Sequence, residues 1–359
     1  MSPLRLPVMP PYAVMDAELV HELPRGGAWQ YEPKWDGFRC LSFRGGEAVE
    51  LQAKSGKSLS RFFPDIVDLL RSLKADRFVI DSELLIPVDG VLSFEELQLR
   101  LHPAASRVRK LAAAHPATMM AFDLLVDDAG RSLADEPLEK RRRALERFHA
   151  RFARGLDRLR LSPATTDPDK ALEWLRGAGA SLDGIVAKRL DAGYRSGERT
   201  GMVKVKTIRS ADCVVGGFRY LEGTKVVGSL LLGLYDEEGL LHHVGYTSSI
   251  HDKDRAGLTR KLEKLRQAPG FTGRAPGGPS RWSNERTGEW EPVKPVLVAE
   301  VTYDQFTGGR FRHGTKFLRW RPDKAPAQCG FDQVAKKSLT GLLGPEPASK
   351  GRSGKKTAA

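Results

Sequence analysis

The sequence has 359 residues, a length that allows two domains with a hydrophobic core each. Hydrophobic residues make up 40% of the chain, and no apolar run approaches the length that crosses a bilayer, which excludes a protein that spans a membrane by helices. The 58 Lys and Arg residues outnumber the 45 Asp and Glu residues, and the net charge of +13 favours a partner with a dense phosphate backbone. Many basic proteins bind nucleic acid only incidentally, so this charge needs support from motifs.

The three cysteines are Cys40, Cys213 and Cys329, which lie far apart in the sequence and form no CxxC pair. This spacing indicates neither a disulfide framework nor a structural zinc site, and we expect buried free thiols. The first residues show no basic segment followed by an apolar one, so no secretory signal peptide is predicted. We therefore expect a protein of the cytosol.

The first predicted domain, residues 1–208, mixes two kinds of hydrophobic pattern. Short apolar runs indicate strands, and apolar positions three to four residues apart indicate helices. The clearest examples are strands at Phe78–Ile80 and Met119–Phe122 and helices at Phe62–Leu73 and Leu138–Phe152. Their mixture predicts an α+β domain.

The second predicted domain, residues 209–335, is rich in short β-type runs. The predicted elements are strands at Asp212–Tyr220, Val226–Tyr235, Leu240–Thr247, Val296–Tyr303 and Lys316–Trp320 and one helix near Asp252–Leu265. About five strands with one helix are what a small closed β-barrel of the oligonucleotide-binding kind (OB-fold) requires. The Gly- and Pro-rich residues 269–279 are predicted to form a surface loop. Residues 336–359 are predicted to form a basic, disordered tail that adds affinity for phosphates.

A first polar cluster lies at Lys34-Trp35-Asp36-Gly37, between strand-like runs at Trp29–Tyr31 and Phe38–Phe43. A lysine amine attacks phosphorus only when it is unprotonated, and nearby cations or partial desolvation lower its pKa toward that state. Lys34 is therefore a candidate nucleophile, with an expected pKa below the ordinary value. The alternative is a common Asp-Gly hairpin that carries a solvated lysine, and the motif taken alone favours this alternative.

Three further motifs carry groups that a nucleotide site needs. Glu83 ends one predicted buried strand, Phe122 ends a second, and Asp183 begins a third. The carboxylates suit Mg²⁺ or a ribose hydroxyl, and the aromatic ring offers a flat face to a purine. For each acid alone, a solvated strand end is the commoner case.

Two cationic motifs follow in the sequence. Lys204 and Lys206 are two residues apart on a predicted strand and therefore point to the same face. A triphosphate would compensate these two charges, although a solvated strand face is about equally common. Arg321, Asp323 and Lys324 form a charged cluster in the second domain, for which phosphate contact and loop solubility are both open.

Two familiar kinds of catalytic site are not indicated. Gly56-Lys57-Ser58 resembles the end of a P-loop, but Leu51 stands where that motif requires Gly. The eight histidines form no HExxH motif and no Cys/His cluster. The sequence therefore disfavours a P-loop NTPase, a zinc nuclease and a zinc deaminase.

The ordered motifs resemble those of covalent nucleotidyltransferases and, within that superfamily, of ATP-dependent DNA ligases. They are Lys34-x-Asp36-Gly37, Asp81-x-Glu83, Phe122-Asp123, Asp183-Gly184-x-Val186-x-Lys188, Lys204-x-Lys206 and Arg321-x-Asp323-Lys324. One such motif is weak evidence, whereas the full series in order is strong because independent chance matches multiply. The likeness spans roughly residues 8–334 and extends to compact bacterial C-type ligases and the ligase domain of ligase D.

The resemblance implies an adenylation domain followed by an OB-fold domain, and a reaction in three steps. Lys34 attacks the α-phosphorus of ATP and forms lysyl-AMP, AMP passes to the 5′-phosphate of a nick in duplex DNA, and the 3′-hydroxyl then displaces it. The metal would be Mg²⁺ or Mn²⁺. The family pattern implies these roles: Glu32 and Phe122 hold the adenine, Arg39 and Glu83 contact the ribose or phosphates, and Lys54 supplies a cation where relatives commonly carry arginine. It further implies that Lys204 and Lys206 hold the α-phosphate, that Asp183 and Glu83 support the metal, and that Arg321, Asp323 and Lys324 orient pyrophosphate.

Two alternatives remain open on the sequence. An RNA ligase or a GTP-dependent capping nucleotidyltransferase uses the same lysine chemistry. The predicted barrel and the motif Arg321-x-Asp323-Lys324 argue against most RNA ligases but do not exclude capping. Capping uses GTP rather than ATP, so the nucleotide that labels Lys34 discriminates between a capping enzyme and the ATP-dependent ligase. A non-catalytic nucleic-acid-binding protein predicts instead that Lys34→Ala leaves every activity intact. The favoured expectation is a monomeric, nucleoid-associated DNA repair ligase without a membrane partner.

Overall fold

The structure is a computed structural model that describes residues 4–178, 181–277, 289–312 and 314–336, together with Leu339 and Leu342. The described residues divide into two compact units. The first unit consists of residues 4–207 with Leu339 and Leu342, and the second consists of residues 208–336.

The first unit mixes strands and helices along the chain. Its described elements are β1 (Glu18–Leu19), β2 (Trp29–Pro33), β3 (Phe38–Gly45), β4 (Ala48–Ala53), α1 (Pro64–Ser72), β5 (Arg77–Leu85), β6 (Pro87–Val88), β7 (Val91–Leu92), α2 (Phe94–Arg100), α3 (Ala105–Ala114), β8 (Thr118–Val126), α4 (Leu138–Phe152), β9 (Leu159–Leu161), α5 (Pro168–Ala178), β10 (Gly184–Arg189) and β11 (Met202–Lys206). The two helices predicted from periodicity correspond to α1 and α4.

Two sheets form the body of the first unit. Five strands lie in the order β4-β3-β5-β8-β9, and four lie in the order β1-β11-β10-β2. Most neighbours are antiparallel, and the exceptions are the parallel pairs β8–β9 and β1–β11. Every residue of β8 is buried, which is the pattern of a strand covered on both faces.

Helices cover one face of the five-stranded sheet. The ring of Phe148 on α4 packs edge-on against Phe78 on β5, with ring centroids 5.2 Å apart. Phe78 and Ile80 share this buried face, so the alternate strand positions, Val79 and Asp81, point to the opposite face. That opposite face contributes to the pocket described below.

Leu339 and Leu342 belong to the segment that was predicted to be disordered. Leu339 is 2% exposed, and both leucines pack on an apolar cluster that includes Trp35 and Met120. The backbone N–H of Leu339 also donates to the carbonyl of Gly90 at 3.2 Å. The prediction of disorder is therefore wrong at these two positions, because their apolar side chains pack against the first unit. The tail residues 337–338, 340–341 and 343–359 lie outside the described residues.

The second unit is mainly β structure with one α-helix among its described residues. Its elements are β12 (Arg209–Tyr220), β13 (Val227–Tyr235), β14 (Leu241–Thr247), α6 (Asp252–Lys264), β15 (Glu291–Pro292), β16 (Val298–Tyr303), β17 (Phe306–Thr307), β18 (Arg310–Phe311) and β19 (Lys316–Trp320), followed by 3-10 turns at Pro326–Gln328 and Phe331–Val334. The five strands and the helix predicted for this region are present as β12, β13, β14, β16, β19 and α6.

The sheet of the second unit curls until its edges meet. Its strand order is β14-β13-β12-β16-β19, and β15 also pairs with β12. Thr315, just before β19, forms a bridge with Thr247 at the end of β14, and the Thr247 hydroxyl donates to the Thr315 carbonyl at 3.0 Å. Apolar side chains such as Phe218, Leu231 and Val301 fill a fully buried core. Five main strands joined edge to edge, with one helix, agree with the predicted OB-fold.

Other expectations have mixed outcomes. The three cysteines are buried and free, as predicted. In the predicted surface loop, of which residues 269–277 are described, Phe271 is only 3% exposed and packs edge-on against His243, because the core of the second unit accepts an aromatic ring there. None of the helices in the described part of the chain is long and apolar enough to cross a membrane.

Candidate active site

A pocket opens between the two sheets of the first unit. Its lining residues are Asp16, Ala17, Glu32, Pro33, Lys34, Trp35, Arg39, Lys54, Glu83, Phe122, Val186, Lys188, Met202 and Lys204. The sequence candidates among them are Glu32, Lys34, Arg39, Lys54, Glu83, Phe122 and Lys204. The pocket therefore gathers candidates that are up to 172 residues apart in the chain.

Strand register explains how these side chains meet. On the four-stranded sheet, cross-strand pairing produces one row of Glu32, Val186 and Lys204 and a second row of Gln30, Lys188 and Met202. On the five-stranded sheet, Arg39 lies directly opposite Glu83. Because side chains two residues apart share a strand face, each sheet presents a patterned surface of charged and apolar groups to the pocket.

Backbone hydrogen bonds hold Lys34 beside Asp183. The N–H of Lys34 donates to the carbonyl of Gly184 at 2.9 Å, and the N–H of Asp183 donates to the carbonyl of Lys34 at 3.1 Å. The strands on either side of Asp36-Gly37 belong to different sheets, since β2 pairs with β10 while β3 pairs with β4 and β5. The alternative of a simple Asp-Gly hairpin at this position is therefore excluded.

Two glycines of these motifs are required by close backbone approaches. A Cβ atom on Gly37 would lie 2.2 Å from the carbonyl oxygen of Leu84. A Cβ atom on Gly184 would lie 2.0 Å from the carbonyl oxygen of Val205, and Gly184 also has a φ of +145°. Both distances are far shorter than any real contact, so the Asp-Gly pairs exist because only glycine lets the neighbouring strand come this close.

The amine of Lys34 makes an ion pair with the carboxylate of Asp183. Burial disfavours the charged amine, but the carboxylates of Asp183, Glu83 and Asp36 outweigh burial, so the pKa of Lys34 is raised. The predicted lowering of this pKa is therefore wrong for this structure, because acids rather than cations lie nearest to the amine. Lys34 must lose its proton before it can act as a nucleophile.

A network of buried groups holds Arg39 on the pocket wall. Arg39 donates to both oxygens of Asp81, from Nε at 2.9 Å and from Nη2 at 2.6 Å. The hydroxyl of Tyr194 donates to the same carboxylate at 2.7 Å and accepts from the N–H of Met15 at 3.1 Å. Burial and the charge of Asp81 raise the pKa of Tyr194, so its hydroxyl keeps the proton that it donates.

Glu83 is an acid that can exchange a proton near neutral pH. Its carboxylate accepts from the N–H of Gly37 at 3.1 Å. Burial raises the pKa of Glu83 to about 7, against the opposing charges of Arg39 and Lys34. A carboxyl group with such a pKa can either bind a cation or hold a proton.

Ammonium groups form a cationic wall in the pocket. Burial lowers the pKa of Lys204, and the nearby charges of Lys54, Lys34 and Lys206 lower it further. Asp16 compensates part of this charge, since its carboxylate accepts from Lys54 at 2.6 Å. Lys206 lies on the same face of β11 but outside the pocket lining. The repulsion between these ammonium groups would be relieved by a bound polyanion.

The remaining predicted groups occupy the pocket in a different way than expected. Glu32 is 2% exposed and is bonded to Lys188, whose amine also lies 4.4 Å from the centre of the Phe122 ring. Phe122 lies in the middle of β8, and Glu83 lies two residues before the end of β5. The prediction that both groups mark strand ends is wrong, because the pocket lies over the faces of the sheets.

The carboxylates of Asp183 and Glu83 both face Lys34 and offer oxygen ligands. Such ligands suit Mg²⁺ or Mn²⁺. Within the described residues, no group of three or more His, Cys, Asp or Glu side chains is arranged to hold a metal ion. The residues present therefore fit a cation that takes its other ligands from phosphates and water.

The three charged candidates of the second unit form a compact ion-pair cluster. Arg321 donates from Nη1 to both oxygens of Asp212, at 2.9 and 3.0 Å, and from Nη2 to Asp323 at 2.8 Å. Lys324 donates to Asp212 at 2.8 Å. The hydrogen bonds from Arg321 lower the pKa of Asp323 to about 2. The cluster keeps both cations charged and oriented.

Sequence reasoning missed three side chains that organise these sites. Lys188 was part of a motif, and its even spacing from Val186 could have placed it on the same strand face. Asp212 begins a predicted strand, but nothing in the sequence links it to Arg321, 109 residues later. Asp16 lies in a segment without a recognisable pattern.

Comparisons with known proteins agree with this arrangement. Residues 14–206 match the family model described as ATP dependent DNA ligase domain, and residues 223–324 match ATP dependent DNA ligase C terminal region. DNA ligase C1 of Mycolicibacterium smegmatis is 44% identical over 343 residues, which cover 92% of this chain and 95% of that protein. The multifunctional non-homologous end joining protein LigD of Mycobacterium bovis is 32% identical over 309 residues, which cover 85% of this chain but only 37% of LigD. The solved structure Pmar-Lig_Pre shares the fold with a TM-score of 0.53 at 15% identity, covering 85% of this chain and 67% of that chain.

The fold and the pocket define a nucleotidyltransferase domain joined to an OB-fold domain, so the predicted fold class is confirmed. A pocket lysine among cations and acids is the site that such a class requires. The chain belongs to the ATP-dependent DNA ligase family. The expected DNA ligase activity with ATP is thereby confirmed at the level of the family.

Proposed function

We propose that this ligase works through Lys34, which accepts AMP from ATP and delivers it to the 5′-phosphate at a nick in duplex DNA. The observation that carries the proposal is the position of the Lys34 amine, which lies in a pocket with Lys54 and Lys204 and contacts Asp183. A half-buried amine in a pocket that also holds two other ammonium groups suits an attack on a phosphate that carries negative charge.

The proposed chemistry has three balanced steps. The neutral amine of Lys34 attacks the α-phosphorus of ATP, an N–P bond forms, and the P–O bond to pyrophosphate breaks. An oxygen of the 5′-phosphate on DNA then attacks the same phosphorus, and the N–P bond breaks to regenerate the lysine. Finally the 3′-hydroxyl attacks the 5′-phosphorus, a phosphodiester forms, and AMP leaves. Asp183, which contacts the amine, is placed to accept the proton that Lys34 must lose.

The pocket residues divide into those that would contact the phosphates and those that would contact the base. Lys54 and Lys204 would neutralise the phosphates, with Lys206 nearby, and Arg39 would add a charge that Asp81 holds in place. Glu32 and Phe122 would contact the adenine. Asp183 and Glu83 would hold Mg²⁺ or Mn²⁺, which supplies charge neutralisation at the phosphates when bound.

The cluster of Arg321, Asp323 and Lys324 would act on the departing pyrophosphate during the first step. In support, the cluster presents two cations whose orientation is set by Asp212 and Asp323. Cations that meet developing negative charge lower the barrier of phosphoryl transfer.

We assign the adenylation domain to residues 1–208, the OB-fold domain to 209–335 and a basic tail to 336–359. We further propose a monomeric repair enzyme of the bacterial cytosol, associated with the nucleoid.

The test is to incubate the wild type, Lys34→Ala and Lys57→Ala with α-labelled ATP or α-labelled GTP and Mg²⁺. Lys57 is an exposed lysine outside the pocket lining and serves as the matched control. Covalent label from ATP on the wild type and Lys57→Ala only, together with sealing of nicked duplex DNA, supports the proposal. Label from GTP would redirect it to a capping-type enzyme. Absence of label on folded wild type would overturn Lys34 as the nucleophile.

A further inference from the structure

A single carboxylate, that of Asp16, lies among the cations of the pocket. Its Oδ2 accepts from Nζ of Lys54 at 2.6 Å and lies 4.0 Å from Nε of Arg199. The ammonium group of Lys204 on β11 also attracts this carboxylate. The side chain of Asp16 is 22% exposed, so water screens these charges only in part. One negative charge thus faces three positive ones.

Backbone contacts fix the position of Asp16. Its N–H donates to the carbonyl of Glu198 at 2.8 Å, and its Oδ1 accepts from the N–H of Ala17 at 3.0 Å. Just after it, β1 pairs in parallel with β11, where Leu19 lies opposite Lys204. One carboxylate oxygen is therefore held by the backbone, while the other is directed to the cations.

Asp16 is ionised at neutral pH. Burial disfavours its charge, but the hydrogen bonds from Lys54 and from the N–H of Ala17 outweigh burial and lower the pKa of Asp16. Asp16 also lines the pocket. Because like charges repel, an ionised carboxylate on the wall of a pocket for polyanions weakens their binding.

Lys54 depends on Asp16 for its position. Its side chain is 56% exposed and follows β4 in a turn. Among the described residues, Asp16 is the one hydrogen-bond acceptor of its amine. Ion pairs with such exposure are worth little, so a bound phosphate can take the lysine from the carboxylate at small cost. The pair can therefore open when a phosphate enters and close again when it leaves.

We propose that Asp16 is a positioning residue that acts as a built-in counter-ion: it holds Lys54 at the pocket in the free enzyme, and it weakens the binding of ATP and pyrophosphate. The inference rests on the proposed function, in which Lys54 and Lys204 bind the phosphates. Once lysyl-AMP has formed, Lys54 returns to Asp16 as pyrophosphate leaves.

The benefit lies in the direction of the first step. Pyrophosphate that stays bound can attack the phosphorus of lysyl-AMP through one of its oxygens. A P–O bond then forms, the N–P bond breaks, and the lysine amine regains its electron pair, so that ATP is made again. A carboxylate that limits the affinity for pyrophosphate shortens the time available for this reversal.

The test measures the binding of inorganic pyrophosphate with Mg²⁺ by calorimetry and the formation of lysyl-AMP in single turnovers. The variants are Asp16→Asn, Asp16→Glu and Asp191→Asn, an exposed acid that pairs with Arg189 outside the pocket lining. Asp16→Asn should bind pyrophosphate roughly threefold to tenfold more tightly than the wild type and should need a correspondingly lower ATP concentration for half of its maximal rate. Asp16→Glu keeps the charge and, like Asp191→Asn, should stay within about twofold of the wild type.

Two further measurements probe the cause of the tighter binding. The gain in Asp16→Asn should shrink as salt is raised, because the charges involved are partly exposed. The gain should also shrink when Asp16→Asn is made in a Lys54→Met background, since the cation for which the carboxylate competes is then absent. A gain that is the same with and without Lys54 would contradict the exchange of Lys54 between Asp16 and phosphate.

A merely structural role for Asp16 predicts the opposite sign. If folded Asp16→Asn binds pyrophosphate as weakly as the wild type, or more weakly, the inference is overturned. A wild type that does not bind pyrophosphate would overturn it as well. If the wild type binds pyrophosphate but takes no label from ATP, the proposed function fails, and the calorimetric comparison of wild type with Asp16→Asn still decides the role of Asp16.

Discussion

The pocket of the first unit and the cluster of the second unit contain similar charged groups, but their ion pairs differ in exposure. In the pocket, Lys34 pairs with Asp183 and Lys188 pairs with Glu32, and the acids are 5% and 2% exposed. In the cluster, Arg321 pairs both with Asp212, whose side chain is 9% exposed, and with Asp323, whose side chain is 62% exposed. Buried pairs are strongly oriented and costly to break, whereas exposed pairs are worth little and are screened by salt. The comparison indicates that the pocket pairs are preorganised, whereas in the second unit only the contact of Arg321 with Asp323 is exposed enough to change partners readily.

The largest difference in the rate of lysyl-AMP formation should appear between alanine variants of Lys204 and Lys206, which lie on the same strand, β11. Lys204→Ala should slow lysyl-AMP formation by roughly 10²–10³-fold, because Lys204 lines the same pocket as the proposed nucleophile Lys34. Lys206→Ala should cost about tenfold or less, since Lys206 lies outside the lining. Single-turnover kinetics with labelled ATP measure both rates. Equal losses in the two variants would mean that the pocket closes around Lys206 as well.

The cluster of the second unit should affect one step of the reaction only. Arg321→Ala should slow lysyl-AMP formation by roughly 10- to 100-fold, because the proposed mechanism uses this cation to stabilise the departing pyrophosphate. Sealing of a nick that already carries AMP should stay within about threefold of the wild type, since pyrophosphate has then left. Arg319→Ala, on the neighbouring exposed side chain, is the control. A loss of sealing in Arg321→Ala that matches its loss of adenylation would contradict this division.

The ion pair of Lys34 with Asp183 predicts how the rate of lysyl-AMP formation changes with pH. The pKa of Lys34 is raised, mainly by Asp183 acting against burial, so the neutral amine is scarce at neutral pH. The rate of lysyl-AMP formation should therefore rise with pH, by up to about tenfold per unit, until it levels at the pKa of Lys34. Asp183→Asn should move that plateau to lower pH while lowering its height. Asp191→Asn, an exposed acid paired with Arg189, should leave the profile in place. A plateau that stays put in Asp183→Asn would show that another acid controls the amine.

The second unit also contains a buried histidine, His243, whose protonated form is disfavoured. Burial, together with Arg310, Arg219 and Arg274, lowers the pKa of His243 to about 3. Between the ordinary value near 6.5 and this folded value, the unfolded chain binds a proton that the folded chain does not, so stability falls as pH falls through that range. The slope should be about 1.4 kcal/mol per pH unit from this one side chain. Thermal unfolding of the full chain at several pH values should show the slope in the wild type and a reduced slope in His243→Gln.

The control for this measurement is His251→Gln, because His251 is exposed. This variant should keep the wild-type dependence on pH. If His243→Gln and His251→Gln lose stability with falling pH equally, the suppressed charge of His243 does not contribute.

Much of the second unit could be predicted because its strands are short apolar runs separated by turns. Lys316–Trp320 was predicted at its observed bounds, and Asp252–Leu265 at one residue beyond the helix end. Pairing could not be predicted in the same way, because a contact such as that of Asp212 with Arg321 depends on strand order. Register across separate segments is a tertiary property that a local pattern does not contain.

The Asp-Gly pairs show why local patterns mislead at the site. Asp89-Gly90 forms a two-residue hairpin between β6 and β7, and both residues have positive φ, as the turn chemistry predicts. Asp36-Gly37 has the same letters but joins two sheets, and its glycine is needed because β5 passes so close. The motif series selected Lys34, which the structure places in the pocket lining, whereas the sign of its pKa shift depended on Asp183, 149 residues away.

The most direct test of the central claim is to locate the covalent nucleotide on the protein. The full chain is incubated with ATP and Mg²⁺, digested at low temperature under conditions that preserve the N–P bond, and mapped by mass spectrometry. AMP should be found on the peptide that contains Lys34, at that residue, and should disappear when nicked DNA is added. AMP on another pocket lysine such as Lys54 or Lys204, or adduct that nicked DNA does not remove, would contradict the proposed mechanism.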